Sequence, residues 1–167
     1  MYEEPGAIYS EVQRSRQWWI WAIIILDPII IAVVYYYCFL PQLRDTKNPT
    51  GIYIGLGVGC TVIFAILILF ACAKLITVVR TGGLYTKYFP FHWSFKQISL
   101  DDVETIEPVT YSPMKDYGGW GIRYGRSGKA YNPTGNRGVK ITYKNGKHIL
   151  IGSGKPEELA KAIEQMR

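Results

Sequence analysis

Two long apolar runs dominate the first half of the chain, and polar, glycine-rich sequence follows them. Residues 18–40 are apolar or aromatic except for Asp27, and residues 52–73 carry no charged side chain. Each run exceeds the roughly 20 residues that a helix needs to cross a hydrocarbon core. The pattern predicts two transmembrane helices, over 18–40 and 52–79, joined by a short connector.

The ends of the first run agree with a membrane location. Tryptophans gather at its start and tyrosines 35–37 at its end, the two depths at which amphipathic aromatic rings settle in a bilayer. Upstream, Ser10 and Gln13 have the spacing of a capping box, which predicts that the first helix begins in water near Ser10. Residues 1–17 are therefore predicted to be an N-terminal juxtamembrane segment, followed by a helical hairpin over 18–80.

Residues 81–167 show the short runs and turn signals of β-structure. Asn145-Gly146 stands between two β-rich runs and predicts a hairpin with a type I′ turn. Residues 156–166 predict a helix that starts at Pro156 and buries Leu159 and Ile163. The predicted fold class is an α+β membrane protein in which two transmembrane helices precede a small β-barrel or sheet capped by the C-terminal helix.

Positive charge is confined to the second half of the chain. The net charge is +6, and residues 80–167 hold 14 of the 19 basic and 8 of the 13 acidic side chains, so the excess (14 − 8 = +6) lies there. A basic domain beside a bilayer is attracted by anionic lipid head groups, which are a predicted partner. Nucleic acid is not predicted, because the chain shows no reader helix and no RNA-binding or zinc-finger motif.

Basic residues near the apolar runs also predict orientation. More of them flank the outer ends of the two runs than lie in the connector. The positive-inside rule then predicts a multi-pass protein of the cell membrane, with two spans and both termini in the cytoplasm.

Asp27-Pro28 is the polar interruption of the first run. An ionisable residue within a bilayer costs about 2.5–3.5 kcal/mol on insertion scales and suggests a function such as ion or proton movement. Proline, however, removes a helix hydrogen bond, and an Asp before it can cap the second half of a broken helix. We favour the structural interpretation, with Thr61 as the partner side chain, and the functional one stays open.

Gly55 and Gly59 form a small-xxx-small step in the second run. Such a step lets two helix backbones approach closely. Packing against the first helix of the same chain is the favoured interpretation, and a homo-oligomer is the alternative.

Residues 118–138 combine glycines with basic side chains, as phosphate-binding loops do. A Walker A loop needs G-x-x-x-x-G-K-[ST] before a helix. Arg123 stands where the first glycine is required and Ala130 replaces the hydroxyl residue, so a P-loop is excluded. The glycines instead predict turns between short strands, with Trp120, Ile122 and Tyr124 facing inward. Four cations are predicted to form a basic surface for anionic lipid or an acidic partner, with an ordinary solvated face as the alternative: Arg123, Arg126, Lys129 and Arg137.

No catalytic residues, cofactor or metal site are predicted. His92 and His148 stand alone, and no Ser/His/Asp or Cys/His arrangement is evident. The acidic residues at 101–107 occupy a turn before a strand, which is typical of solvating charges. The three cysteines lie in the apolar runs without C-x-x-C or zinc spacing, as expected of small packing residues.

Several stretches together resemble a known group. They are SLDDVETIEP after a first β-pair, GGWGIRYG, GKAYN and GNRGV in the glycine region, and GSGKPEELAKAI at the end. These are similar to small prokaryotic membrane proteins of uncharacterised function with a two-helix transmembrane hairpin and a bacterial pleckstrin-homology-like C-terminal domain. The resemblance covers the chain from about Glu11 onward. It implies a partly open seven-stranded barrel over 81–167 plugged by the last helix, and it implies no catalytic site.

The predicted function is accordingly non-enzymatic. We expect a membrane-anchored scaffold or regulator whose pleckstrin-homology-like domain binds an unknown protein partner or anionic lipid at the inner membrane face. The alternative is an oligomeric membrane protein that moves ions or protons through Asp27.

Overall fold

A computed structural model describes residues 6–15, 18–41, 50–125 and 128–167, without the side chains of 18–21 and 24. The chain forms two compact units, a β unit of Met1–Ser15 with Cys72–Arg167 and a helical unit of Arg16–Ala71. The strands are β1 (Ala7–Arg14), β2 (Lys74–Arg80), β3 (Gly83–Phe89), β4 (Lys96–Ile98), β5 (Val103–Thr110), β6 (Gly121–Tyr124), β7 (Gly128–Asn132), β8 (Arg137–Tyr143) and β9 (His148–Gly152). The α-helices are α1 (Trp18–Val34), α2 (Thr50–Ala71), α3 (Pro113–Tyr117) and α4 (Pro156–Glu164), and a π-helical turn, Tyr35–Phe39, follows α1.

The helical unit is an insertion between two paired strands. Strand β1 precedes it in the chain and β2 follows it, and the two strands pair antiparallel up to Arg14 opposite Lys74. The ladder continues past the strand ends, since the Ser15 amide donates to the Ala73 carbonyl at 3.1 Å. The polypeptide therefore leaves and re-enters the β unit at neighbouring positions.

The first sheet has the order β1-β2-β3-β4 and is antiparallel throughout. Its second strand is buried on both faces, with Leu75, Val78 and Val79 at most 1% exposed. Val, Ile and Thr fill this strand because branched side chains pack well on a pleated surface.

The second sheet has the order β5-β8-β9-β7-β6. Strand β7 runs parallel to β9, and the other pairs are antiparallel. One face of this sheet, here the core face, contributes Tyr131, Ile141 and Ile151 to the hydrophobic core. Residues that alternate with them, such as Lys140 and Leu150, lie on the opposite face, here the outer face.

The C-terminal helix joins the two sheets. Helix α4 contacts β5 and β8 of the second sheet and β1 of the first. Leu159 and Ile163 are fully buried in the core that also contains Leu75 and Ile141. The predicted helix start at Pro156 and its apolar face are confirmed.

Glu11 fastens β1 to the loop before this helix. Its carboxylate accepts hydrogen bonds from the Tyr9 and Ser153 hydroxyls, both at 2.6 Å. It also accepts from the Gly154 amide at 2.8 Å and from Gln13 Nε2 at 3.0 Å. One side chain of the first strand thus holds residues more than 140 positions away in the chain.

The predicted fold class is wrong in two respects. Among the described residues, α2 is the helix that is long and apolar enough to cross a membrane by length and composition, whereas α1 has 17 residues before the π-helical turn. The strands form two separate sheets and not a closed barrel. Strand β7 pairs with β9, and β6 pairs with β7 at the edge of the second sheet. The β6–β7 hairpin therefore extends the second sheet and does not connect it to the first.

The predicted boundaries also change. The second helix ends at Ala71 and not at 79, because residues 74–80 form β2. A short apolar run buried on both faces cannot be told from a helix by periodicity. Ser10 lies within β1 and does not cap a helix, so the predicted juxtamembrane segment contains a strand of the β unit.

The hairpin predicted at Asn145-Gly146 is confirmed, but its turn type is wrong. Strands β8 and β9 pair antiparallel on either side of it. The Gly146 amide donates to the Tyr143 carbonyl at 2.9 Å, and Gly146 has φ +77°. A positive φ at the third loop residue alone is typical of a type I turn with a glycine bulge, not of type I′.

Close strand approach at Gly138 yields a first prediction. A Cβ at this position would fall well inside contact distance of the Ile151 carbonyl oxygen on the neighbouring strand. Gly138→Ala is therefore expected to lower the free energy of unfolding by about 2 kcal/mol or more, measured by urea denaturation. Gly125→Ala is the control, because its Cβ would meet only ordinary contacts of 3.5–3.6 Å. Equal stability of both variants would contradict this.

Removing the Glu11 carboxylate yields a second prediction. Glu11→Ala leaves four donors without their acceptor, and hydrogen bonds to a charged group are worth about 1.5–3 kcal/mol each. We expect a loss of about 2–4 kcal/mol in unfolding free energy, because water replaces some of these bonds. Glu104→Ala, which removes an exposed carboxylate from β5, serves as the control. A loss no larger than that of the control would show that Glu11 is dispensable.

Candidate functional site

A cavity of about 670 Å³ lies on the outer face of the second sheet. Strands β8 and β9 form its floor through Lys140, His148 and Leu150. The end of β5 and helix α3 form its wall. The remaining lining residues are Val109, Thr110, Tyr111, Lys115, Asp116, Tyr117 and Gly125.

Aromatic rings line one side of this cavity. Tyr117 meets Tyr111 edge to face with centroids 5.9 Å apart, and it meets the His148 ring in the same manner at 6.2 Å. The Tyr117 hydroxyl and His148 Nε2 are 3.0 Å apart, within hydrogen-bond distance. The T-shaped contacts and this hydrogen bond tie α3 to β9 across the cavity.

Burial alters the acidity of these groups. Desolvation lowers the pKa of His148 below its ordinary value of 6.5, and the nearby Lys140 ammonium lowers it further. Desolvation likewise raises the pKa of Tyr111 to about 12. At neutral pH the cavity therefore presents a neutral imidazole and neutral phenols.

The charges at the cavity are two lysines and one carboxylate. Lys115 comes from α3 and Lys140 from β8. Asp116 is turned toward its own backbone, since its Oδ2 accepts a hydrogen bond from the Ser112 amide at 2.7 Å. In the strand register Glu107 stands opposite Lys140 but does not line the cavity. The charged groups of this site that are available to bind a ligand are thus the two lysines.

Three of the four cations predicted to form a basic surface lie in the described part of the chain, and these three are not brought together. Arg126 lies outside the described residues. The Arg123 side chain contacts the backbone just before its own strand, where its Nε donates to the Trp120 carbonyl at 2.9 Å. Arg137 pairs with Glu157 on α4. The role of these residues in lipid or partner binding stays a prediction.

Lys129 is separated from Arg123 by the sheet itself and from Arg137 by distance along it. Its ammonium group lies over the rings of Tyr131, at 4.6 Å, and Tyr124, at 5.0 Å, on the core face, whereas Arg123 lies on the outer face. Arg137 lies two strands from Lys129, which corresponds to roughly 10 Å across the sheet, and four residues further along the strand direction, which corresponds to roughly 13 Å. Tyr124 is 77% exposed, so the expectation that it packs inward is wrong, while Ile122 does pack against the core.

The helical unit carries the other predicted residues. Helix α1 continues through Asp27 and Pro28 without a break, so Asp27 does not cap a second helix. The Thr61 hydroxyl donates to the Gly57 carbonyl of its own helix at 2.7 Å and not to Asp27. Asp27 and Pro28 line an apolar groove of about 430 Å³ together with residues of α2.

Gly55 and Gly59 lie on the exposed side of α2. A Cβ at either position would meet no atom within 4 Å. Residues of α2 that line the groove are Leu56, Cys60, Ile63, Phe64 and Leu67. The packing role of the two glycines stays a prediction, and their exposure fits contact between copies better than contact with α1.

The cavity on the second sheet was not predicted from the sequence. His148 and Lys140 could have been placed on one sheet face from the alternation in β8 and β9. Their proximity to Tyr117 could not have been predicted from the sequence. Tyr117 lies 31 positions before His148 in the chain and reaches it only because α3 packs over the sheet.

Comparison with known proteins gives a family but no function. The model of a family of unknown function, DUF6141, matches residues 2–166. Comparison with curated proteins and with solved structures finds no similar protein.

Titration of Tyr111 yields a prediction for this site. The unfolded chain loses the phenol proton near pH 10 and the folded protein near pH 12, so the folded state binds more protons between these values. Stability is therefore expected to fall as pH rises from 10 to 12. Urea unfolding of the full-length protein in neutral detergent micelles, at steps from pH 9 to 12, measures this slope.

Two phenylalanine variants test the assignment. Tyr111→Phe should show a smaller loss of stability across this window than the wild type. Tyr124→Phe, which removes a largely exposed phenol, is the control variant. Identical slopes for the wild type and Tyr111→Phe would show that Tyr111 does not contribute.

Proposed function

The chain belongs to the DUF6141 family, and we propose that it is a membrane-tethered, non-enzymatic module whose basic β unit binds an anionic lipid or a protein partner. The apolar helical unit is the tether, and the β unit is the binding part. The observation that carries the proposal is the insertion of the helical unit between the paired strands β1 and β2.

The surface of the helical unit supports a lipid environment. Helix α2 has no buried residue, and its exposed side chains include Ile54, Val58 and Phe64. A continuous apolar surface that is exposed in this way usually marks a site of contact with lipid or with another protein. Lipid is the occupant that matches a helix of 22 residues without a charged side chain.

The strand pairing constrains how such a unit meets a bilayer. Arg14 and Lys74 are opposite each other in one sheet, so both ends of the inserted unit are on the same side of the membrane. The unit then enters and leaves the membrane through the same face. The positive-inside rule favours the cytoplasmic face for the β unit.

Charge suits the β unit for this location. Residues 80–167 carry the whole net charge of the chain, +6. The negative potential of an anionic leaflet attracts juxtamembrane basic segments by about 1 kcal/mol for each Lys or Arg near the surface. Binding of the β unit to lipid is therefore expected to weaken with salt.

The cavity chemistry argues for binding without catalysis. Tyr117 is the hydrogen-bond partner of His148, and the nearest acid of the cavity, Asp116, accepts a bond from the Ser112 amide. A general base needs an orienting group and a nucleophile within reach. The Tyr117 hydroxyl can orient the imidazole of His148, but burial raises the pKa of this phenol and keeps it neutral, and Asp116 is bonded to the Ser112 amide and not to His148.

A second candidate function is an oligomer that moves ions or protons. The observation that favours it is the placement of Asp27 in an apolar groove beside α2, with Gly55 and Gly59 exposed on that helix. Proteoliposome flux with wild type and Asp27→Asn tests it. Equal flux in both, at the level of empty liposomes, would exclude this candidate.

Replacement of the helical unit tests the tether. Ser15 and Ala73 form a hydrogen-bonded pair, so a two-residue Asn-Gly turn in place of residues 16–72 is expected to close a β-hairpin. The full-length protein should stay with membranes after carbonate extraction, whereas the replaced chain should be recovered in the soluble fraction with its β-sheet circular dichroism retained.

Two outcomes would contradict the proposal. Extraction of the full-length protein by carbonate would show that the helical unit is not embedded. Retention of the replaced chain in membranes after carbonate and 0.5–1 M salt, roughly the range in which the Debye length falls to a few ångströms, would place the tether in the β unit.

A further inference from the structure

We propose that the cavity bounded by α3, β8 and β9 binds a small organic anion, with the negative group held by Lys115 and Lys140 and an apolar ring held against Tyr111 and Tyr117. The site lies wholly within the β unit, so its occupancy does not depend on the membrane tether. It is also separate from the predicted basic residues Arg123, Lys129 and Arg137.

The size of the cavity fits a small molecule. Its volume of about 670 Å³ falls within the roughly 300–1,000 Å³ of ligand pockets. It is open to solvent on one side, and it combines apolar walls with a few polar groups that come from different elements. That combination is the usual composition of a small-molecule site.

The polar groups favour an anion. Lys115 and Lys140 both belong to the lining, while the Asp116 carboxylate accepts a hydrogen bond from the Ser112 amide. Glu107 opposes Lys140 in the ladder but is outside the lining. A carboxylate or phosphate between the two lysines would therefore gain attraction that water and Asp116 do not already supply.

The apolar groups favour a ring or a similarly flat body. Tyr111 and Tyr117 present aromatic surface from the wall, and Leu150, which is 1% exposed, closes the floor. Aromatic rings in such sites are stabilised by offset or edge-to-face contact. Gly125 also belongs to the lining and contributes no side chain to it.

His148 provides a built-in reporter for occupancy. Its ring is in the cavity with Nε2 near the Tyr117 hydroxyl. A bound anion favours the charged imidazolium, so the pKa of His148 should rise on saturation. The chain has two histidines, and His92 packs against Tyr131 on the other side of the sheet, at 5.9 Å between centroids.

Benzoate and benzamide are a matched pair of probes. They share one ring and differ in charge, so their difference measures recognition of the anion. Full-length protein in a neutral detergent, in a buffer without phosphate, is titrated with each while the two histidine ring signals are followed by NMR. Benzoate should shift His148 saturably, with a dissociation constant of about 1–10 mM for so small a ligand.

Three comparisons decide the proposal. Benzamide should bind at least about fivefold more weakly, and His92 should not shift with either probe. Lys115→Gln and Lys140→Gln should each weaken benzoate by about three- to tenfold, consistent with the loss of one charge-assisted contact. Lys144→Gln removes a lysine that pairs with Asp102 outside the cavity and should bind as wild type.

The contrary outcomes are equally clear. No saturable shift of His148 up to 50 mM, roughly five times the weakest expected dissociation constant, would overturn the site. Equal binding of benzoate and benzamide would show that charge is not recognised. Equal effects of Lys140→Gln and Lys144→Gln would show that attraction comes from the overall charge of the β unit and not from this cavity.

Discussion

The antiparallel pairing of β1 with β2 is the constraint on which the rest of the structure depends. These strands are separated by the whole helical unit in the chain, but they lie side by side from Ala7 to Arg14. The loop that connects them is therefore long, and closing it costs chain entropy that grows with the logarithm of its length. Part of this cost is offset when the helices form their own hydrogen bonds, and a bilayer would order them further.

Contacts from the end of the chain hold β1 in place. Strand β1 is at the edge of the first sheet, where β2 is its one strand neighbour. Glu11 adds bonds to Ser153 and Gly154, and α4 packs against the same strand. An edge strand that would otherwise be open to another chain is thus covered by the protein's own C-terminal region. The two ends of the sequence depend on each other for stability.

Local sequence signals predicted what is local in the structure. Pro156, the acidic first turn and the spacing of Leu159 and Ile163 are sufficient for α4, and Asn145-Gly146 is sufficient for a hairpin. The pairing of β1 with β2 could not be read in this way, because no short-range pattern links residues 7–14 to 74–80. The Val, Ile and Leu residues of 74–80 also continue the second apolar run, so the pattern predicts membrane helix where the structure has β2.

The candidate site shows the same division. Alternation in β8 and β9 is enough to put Lys140, His148 and Leu150 on one face of a sheet. Tyr111 and Tyr117 reach that face only because β5 and α3 place them there, which is a property of the tertiary fold. The predicted cations, by contrast, are close in sequence but separated in space, since neighbouring strand positions alternate between faces and the strand order places β9 between β7 and β8.

The glycines of residues 118–138 have a structural role in this arrangement. Gly128 stands beside His148 in the parallel pair of β7 and β9, and any Cβ there would collide with the His148 carbonyl and approach its ring. Gly125 lines the cavity without a side chain. Because Gly128 has no side chain, β7 and β9 approach closely and the His148 imidazole lies next to the Gly128 backbone. In this position the imidazole is within hydrogen-bond distance of the Tyr117 hydroxyl.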